Sequence, residues 1–271
     1  MKHDDQAIRD KLAGNTIPAP RSGDHDMYPR PAGRGPASDS REAWTERSRI
    51  VLTPVAAPSI LGLFGFAGAT FMVASLLAGW WGSPEAAAPV IAPFALFFGG
   101  LAQFLAGMWC YRARDGVGTA MHGTWGAYWM AWGLLVLLTA GGVLPASVLS
   151  SRALGFWFIV LAVVTLFGTL AALADNLALV VVLGLLTVGS ILLAIGFVAP
   201  FDAVVTAGGW VLVFSAVAAF YTAGALMLTG AFNGRSILPV GKRTLPPAPV
   251  GSRTMEPIGY PAGMPGAKVG Q

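Results

Sequence analysis

The chain has 271 residues, of which 55% are hydrophobic, 11% are charged and 35 are glycine. Water-soluble domains carry roughly 25% charged residues, so this composition excludes an ordinary soluble domain. The formal net charge of +4 bears on membrane orientation rather than on nucleic-acid binding, because most of the basic residues sit near the two ends of the chain beside acidic ones.

Nine basic and eight acidic residues precede residue 54, and five basic and one acidic follow residue 232. The stretch between them holds only Glu85, Arg112, Arg114, Asp115, Arg152, Asp175 and Asp202. Seven charges cannot solvate that much apolar surface in water. Residues 1–53 are rich in Pro, Gly, Ser, Asp and Arg without helical periodicity and cannot offset their ordering entropy by burial, so they are expected to form a disordered tail. No apolar signal-type core lies in them, and insertion is expected to start at the first long apolar segment. The single cysteine, Cys110, excludes an intramolecular disulfide and a cysteine-cluster metal site.

From residue 54 to 232, apolar runs of about twenty residues recur, each long enough to cross a hydrocarbon core roughly 30 Å thick. In chain order they run approximately from Pro58 to Gly79, Val90 to Tyr111, Thr119 to Thr139, Ala153 to Ala172, Asn176 to Val198 and Ala203 to Thr229. The breaks fall where charge, Pro or Gly gathers, at WWGSPEAAAP, RARDG, GGVLPASVLSSR, LAD and APFD. Continuous rather than alternating hydrophobicity predicts helices, and so an all-α integral membrane protein with six transmembrane helices in a bundle. Asp175 and Asn176 are expected to cap the fifth. From residue 233 to 271 the chain is again punctuated by Pro and Gly and reads as a second tail, extended or disordered.

Basic residues in short loops set the orientation. Arg47 and Arg49, Arg112 and Arg114, and Arg235, Lys242 and Arg243 fall on one side if the spans alternate, which puts both termini in the cytoplasm of a cell bounded by this plasma (inner) membrane. Trp80, Trp81, Trp109 and Trp157 lie near span ends, where an aromatic belt meets lipid headgroups. The first three spans are rich in Gly and Ala, which permit close helix packing.

Catalysis needs convergent titratable groups, a nucleophile with its base, or a metal. The spans offer one histidine, His122, and one cysteine, so neither an enzyme nor a resident cofactor or metal is expected. They do hold scattered neutral polar residues, among them Ser59, Thr70, Gln103, His122, Thr124, Thr165, Thr169, Asn176, Thr187, Ser190 and Tyr221. Ser and Thr hydroxyls in membrane helices commonly bond their own helix carbonyls. Gln103 has more hydrogen-bonding capacity to satisfy, and serves either a pathway or an interhelical clamp. His122 either handles protons or sits neutral and hydrogen-bonded. Without an embedded Arg or Lys, small and mostly monovalent solutes are favoured over polyanions.

Several strings together resemble the acetate uptake transporter family, the YaaH-like acetate and succinate permeases: PSILGLFGF (Pro58 to Phe66), LFFGGLAQFLAGMWCYRARDGVGTA (Leu96 to Ala120), TWGAYW (Thr124 to Trp129), LFGTL (Leu166 to Leu170), LTVGSILLAIG (Leu186 to Gly196) and GRSILPVG (Gly234 to Gly241). The resemblance implies a homohexamer of six-helix protomers, each with its own path for acetate and related short carboxylates, succinate included, by proton-coupled or channel-like movement. It also implies a hydrophobic constriction whose Phe, Tyr and Leu fall on Phe66, Trp125 and Leu186, and a bulky apolar ring of this kind gates by dewetting. Ser59, Gln103 and His122 are then expected as polar contacts along the route, with Thr124 near the constriction and Pro58, Leu61 and Gly62 of the entrance motif beside them. The family's Asn-Pro-Ala-Pro-Leu-Gly-Leu signature reads here Ala57 to Leu63 without its Asn and second Pro, its acidic residue at the end of span two is Cys110, and its Tyr is Trp125. The expected partners are the carboxylate, protons, membrane lipid and copies of the chain, with no nucleic acid. A reading of a different class is an oligomeric membrane scaffold or stress protein that transports nothing.

Overall fold

The computed structural model describes residues 56–150, 152–232 and 234–243, where regular structure is helical apart from one isolated bridge. The tail expected over residues 1–53 lies outside the described residues, as does the C-terminal stretch beyond residue 243. α1 (Ser59–Leu77) starts at Pro58, whose φ of −65° is already helical. α2 (Pro84–Phe94) begins six residues before the expected start at Val90, with a proline in its first turn, where a missing N–H costs nothing. α4 (Gly116–Ala140), α5 (Arg152–Ala172), α6 (Leu177–Val198) and α7 (Asp202–Ala231) follow the sequence expectation closely.

The second span is not one uniform helix. Pro89 and Pro93 interrupt α2, and the chain widens into a π-helical stretch, Ala95–Ala102, before returning to α-geometry in α3 (Gln103–Ala113). Proline removes the N–H donor and crowds the preceding turn, a common cause of such irregularities. The wide turns rotate α3 relative to α2, and its inward face carries Gln103, Ala106, Gly107 and Cys110.

Among the described residues, five helical stretches are long and apolar enough to cross a membrane: Ser59–Leu77, Ala86–Ala113, Ala146–Ala172, Leu177–Val198 and Asp202–Ala231. α4 is less apolar because Trp, Tyr, His, Thr and Gly populate it, but its 25 residues at 1.5 Å per residue span the same thickness. α1 packs on α7 and on the second span, α7 on α6, and α6 on α5, while α4 lies against α3 and the π-helical stretch. With direction alternating from span to span, the starts of α1, α4 and α6 gather at the end of the bundle that bears Arg112, Arg114, Arg235, Lys242 and Arg243. Arg152 and Asp202 lie at the far end.

Polarity is inverted relative to a water-soluble domain. Phe156, Phe167, Val163 and Leu170 of α5 face outward, as do Phe94, Phe97 and Phe214, whereas Thr70, Gln103, His122, Thr165, Ser190 and Ser215 are buried. Lipid is as apolar as these exposed side chains, so burying them gains little, and association rests on close packing and internal hydrogen bonds. Trp80, Trp81, Trp109 and Trp157 are all exposed near helix ends, as an interfacial belt requires.

The chain after α7 corrects one expectation. The second tail was to begin at residue 233, yet Val240 is buried and the segment through Arg243 returns to the start of α6. The N–H groups of Leu177 and Ala178 donate to the carbonyls of Gly241 and Val240, each at 3.0 Å, and the Arg243 N–H donates to the Asp175 carbonyl at 2.9 Å. The Leu179 N–H donates to Asn176 Oδ1 at 2.8 Å, so Asn176 is the expected cap. Tyr221 Oη adds a bond to the Pro239 carbonyl at 2.7 Å. The first turn of a helix has donors with no intrahelical acceptor, and this return segment supplies the acceptors that composition alone did not show.

Close approach of α3 and α4 depends on Gly126, where an added Cβ would lie 2.6 Å from Phe104 N and 2.8 Å from its Cα. Backbone cannot yield as a flexible side chain does. Gly126→Ala is therefore expected to destabilise the bundle by about 1–3 kcal/mol, read as a lower melting temperature in detergent. Gly224→Ala, whose methyl would meet nothing within 4 Å, is expected to melt at the wild-type temperature or above it.

Candidate functional site

A cavity of about 780 Å³ opens between α1, α2, α4, α5, α6 and α7 toward the far end of the bundle. Its deep part is walled by Trp125, Tyr128, Trp129 and Trp132 of α4, Phe158 of α5, and Leu186 and Leu193 of α6. Asp202 and Ser147 belong to the lining from the far-end loops and helix starts. Among the described residues lining it, Asp202 is the one that carries a charge.

The aromatic wall follows from spacing on α4. Gly118, His122, Trp125, Trp129, Trp132 and Val136 recur at intervals of three and four and are all buried, so they share one helix face. Their rings meet edge to face, with centroids 5.4 Å apart for Trp125 and Tyr128 and 5.8 Å apart for Trp129 and Trp132, an arrangement that suits ring quadrupoles.

Phe66, Trp125 and Leu186 are all buried. The Phe66 and Trp125 rings meet nearly perpendicularly, 72° apart in plane with centroids at 6.0 Å. Trp125 and Leu186 line the cavity, and Phe66 is not part of that lining. Phe66 thus contacts Trp125 from beyond the cavity lining. The indole is held in place: Trp125 Nε1 donates to Thr165 Oγ1 at 3.0 Å, and that hydroxyl donates onward to the Leu161 carbonyl at 2.6 Å. Every polar atom in this short chain has a partner.

The other expected residues divide. Gln103 is 1% exposed and His122 5%, and neither Gln103 Oε1 nor His122 Nδ1 has a hydrogen-bond partner. Gly62 is buried directly against the His122 ring, where an added Cβ would lie 2.5 Å from both Nδ1 and Cε1. Ser59 and Thr124 are half-buried. Ser59 Oγ donates to Asp115 Oδ2 at 3.2 Å and lies 3.8 Å from Cys110 Sγ, while Asp115 Oδ1 caps α4 by accepting from the Gly118 N–H at 2.7 Å. Pro58, half-buried, starts α1 at the same end. Leu61 is not brought in with them. It is 46% exposed, on the outward face shared with Met72, because one residue of helix turns it about 100° away from Gly62.

Sequence reasoning missed Tyr128, Trp129, Trp132 and Phe158 as cavity wall, and Asp115 as partner of Ser59. The signal for the first three was present in the three-and-four spacing of aromatics after Trp125. The pairing of Ser59 with Asp115 joins positions 56 residues apart and has no local signature.

Comparison with known proteins matches residues 45–241 to the GPR1/FUN34/yaaH family. The succinate-acetate/proton symporter SatP of Escherichia coli (strain K12) is 30% identical over 190 residues, covering 70% of this chain and 97% of that protein. Acetate permease A of Emericella nidulans is 27% identical over 182 residues, 61% of this chain and 59% of the permease. Among solved structures, the bacterial acetate channel SatP superposes with a TM-score of 0.63 at 29% identity, over 69% of this chain and 100% of that one. These relatives are named for transport or conduction and not for catalysis, and the chain shares their multi-pass architecture. Because the matched stretch takes in every helix described above, together with Val240 and Gly241 of the segment that returns to α6, the chain belongs to the GPR1/FUN34/yaaH family.

Proposed function

We propose that this protein moves acetate and related short-chain carboxylates, succinate among them, across the plasma (inner) membrane through a path in each protomer of a homohexamer. The observation that carries this reading is the cavity lined at its deep end by Trp125 and Leu186, with Phe66 edge-on against Trp125. Its volume falls in the range of small-molecule sites, and an apolar aromatic constriction passes small solutes selectively by controlling wetting. The named activities of the Escherichia coli symporter and the bacterial acetate channel support the same solute class.

Movement is linked to protons in this reading. A carboxylate anion in a low-dielectric cavity calls for a cation or an arginine clamp, and the described lining carries Asp202 as its charge. A carboxylic acid that keeps its proton needs neither. Gln103 and His122 continue the route past Phe66 as hydrogen-bonding groups, and Ser59 stands at the basic end, with Thr124, Pro58 and Gly62 nearby. The cluster of Arg112, Arg114, Arg235, Lys242 and Arg243 at that end supports a cytoplasmic placement of both termini.

In proteoliposomes of the purified chain, labelled acetate uptake is expected to exceed that of empty vesicles. Its initial rate should follow the concentration of the protonated acid as external pH rises, not total acetate. Protein-dependent accumulation under an inward proton gradient marks movement of the acid together with its proton, and equilibration of total acetate regardless of the gradient marks conduction of the anion. Uptake equal to that of empty vesicles would point to the non-transporting scaffold. Trp125→Ala is expected to raise acetate uptake several-fold or admit larger acids, and Thr165→Val, which strips the indole N–H of its acceptor, to move uptake in the same direction by less. Unchanged uptake in a folded Trp125→Ala protein would remove Trp125 from the constriction.

A further inference from the structure

The cavity opens where α6 ends and α7 begins: Phe197, Pro200, Asp202 and Val205 all belong to its lining. Asp202 is exposed there, in the first turn of α7. The way the acids of the bundle use their oxygens sets it apart. Asp115 accepts from the Gly118 N–H and from Ser59 Oγ, and Asp175 accepts from Asn176 Nδ2 at 3.0 Å. Asp202 holds no hydrogen bond or ion pair among the described residues. Arg152, a cation at the same end, stands outside the described lining and is not paired with it.

A free carboxylate in this position is at odds with capture of acid anions. The N-terminus of a helix carries about half a positive charge and attracts carboxylates. α7 starts at the cavity mouth, so a neutral first turn there would draw acetate and succinate anions inward. Asp202 reverses the sign, because a full negative charge outweighs the half-charge of the helix end. No lysine or arginine in the described lining offsets it.

We infer that Asp202 is a specificity-determining residue at the cavity mouth, one that admits acids in order of charge, neutral before monoanionic and monoanionic before dianionic. This rests on the transport reading above and ranks the acids within it. A fixed unit charge about 6 Å from a carboxylate in water-like surroundings lowers that anion's occupancy about threefold, and a dianion's about tenfold. A protonated acid is unaffected. Deeper in, the wall is made of Trp125, Leu186 and other apolar side chains, and none of them supplies a cation that would reverse the ranking.

The test uses the full chain in proteoliposomes at pH 7, with trace labelled acetate outside. Unlabelled propionate or succinate is present at equal concentration on both sides, so that the orientation of the protein does not matter. At this pH propionate carries one charge and succinate two. Asp202→Asn is expected to lower the half-inhibitory concentration of propionate by up to about threefold and that of succinate by up to about tenfold. Asp202→Glu, which keeps the charge, should match wild type. Raising the ionic strength to about 0.5 M should shrink both shifts, since the mouth is open to solvent. Equal half-inhibitory concentrations in wild type and a folded Asp202→Asn protein would overturn the filter. Equal shifts for the two acids, or shifts that salt leaves intact, would overturn it as well, by marking a change of shape rather than of charge. If Asp202→Asn fails to assemble, wild type alone decides: added salt should make succinate a better inhibitor by a larger factor than propionate, and an equal or absent gain would overturn the filter. Absence of protein-dependent acetate uptake in wild type would instead overturn the transport reading, and the filter with it.

Discussion

A chain surrounded by hydrocarbon must satisfy its polar groups from within, and that requirement organises the whole molecule. It forces helices, because a helix closes its own backbone bonds. It brings Thr, Ser, Gln and His to the interior while Phe and Leu turn outward, and it puts a premium on glycine where two backbones must come within touching distance, as at Gly126. Where the requirement is met completely, as in the chain from Trp125 Nε1 through Thr165 to the Leu161 carbonyl, a side chain is fixed. Where it is left open, as at Thr70, Gln103, His122, Trp129 and Ser190, the protein retains hydrogen-bonding capacity that its own fold does not consume.

That contrast separates scaffold from pathway. Trp125 is pinned through its nitrogen and lines the cavity, so this part of the wall is an apolar surface of defined position. Gln103 and His122, past that ring toward the basic end, have polar atoms without protein partners. In the proposed transport reading, a solute crossing between the two meets an apolar passage before these hydrogen-bonding groups. Such an arrangement lets a small acid shed water in stages, with wall contacts taking the place of solvent.

Much of this was legible in the sequence, for reasons that are local. Hydropathy located the spans because most are continuous apolar runs, with α4 the least apolar of them, and Asn176 announced the start of α6 by its residue type. Phe66, Trp125 and Leu186 were assigned through family resemblance, and the contact of the Phe66 and Trp125 rings could not have been derived from spacing. Leu61 was drawn in by the same motif, yet helix phase turns it outward. The π-helical stretch Ala95–Ala102 was invisible because its sequence also suits an α-helix, although Pro89 and Pro93 just before it supply a cause. The return of Val240 and Gly241 was missed because Pro and Gly make a segment look tail-like, and its partner, the first turn of α6, lies some sixty residues earlier in the chain.

That return segment has a consequence for how the protein is made. α6 is synthesised before the carbonyls that complete its first turn, and the donors of Leu177 and Ala178 stay unmatched by protein until α7 has crossed the membrane and the chain has come back. The bundle therefore closes from its late end. A nascent chain that stalls after α7 would carry all six spans and still present an open helix start at the membrane surface, a marker by which an unfinished molecule differs from a finished one.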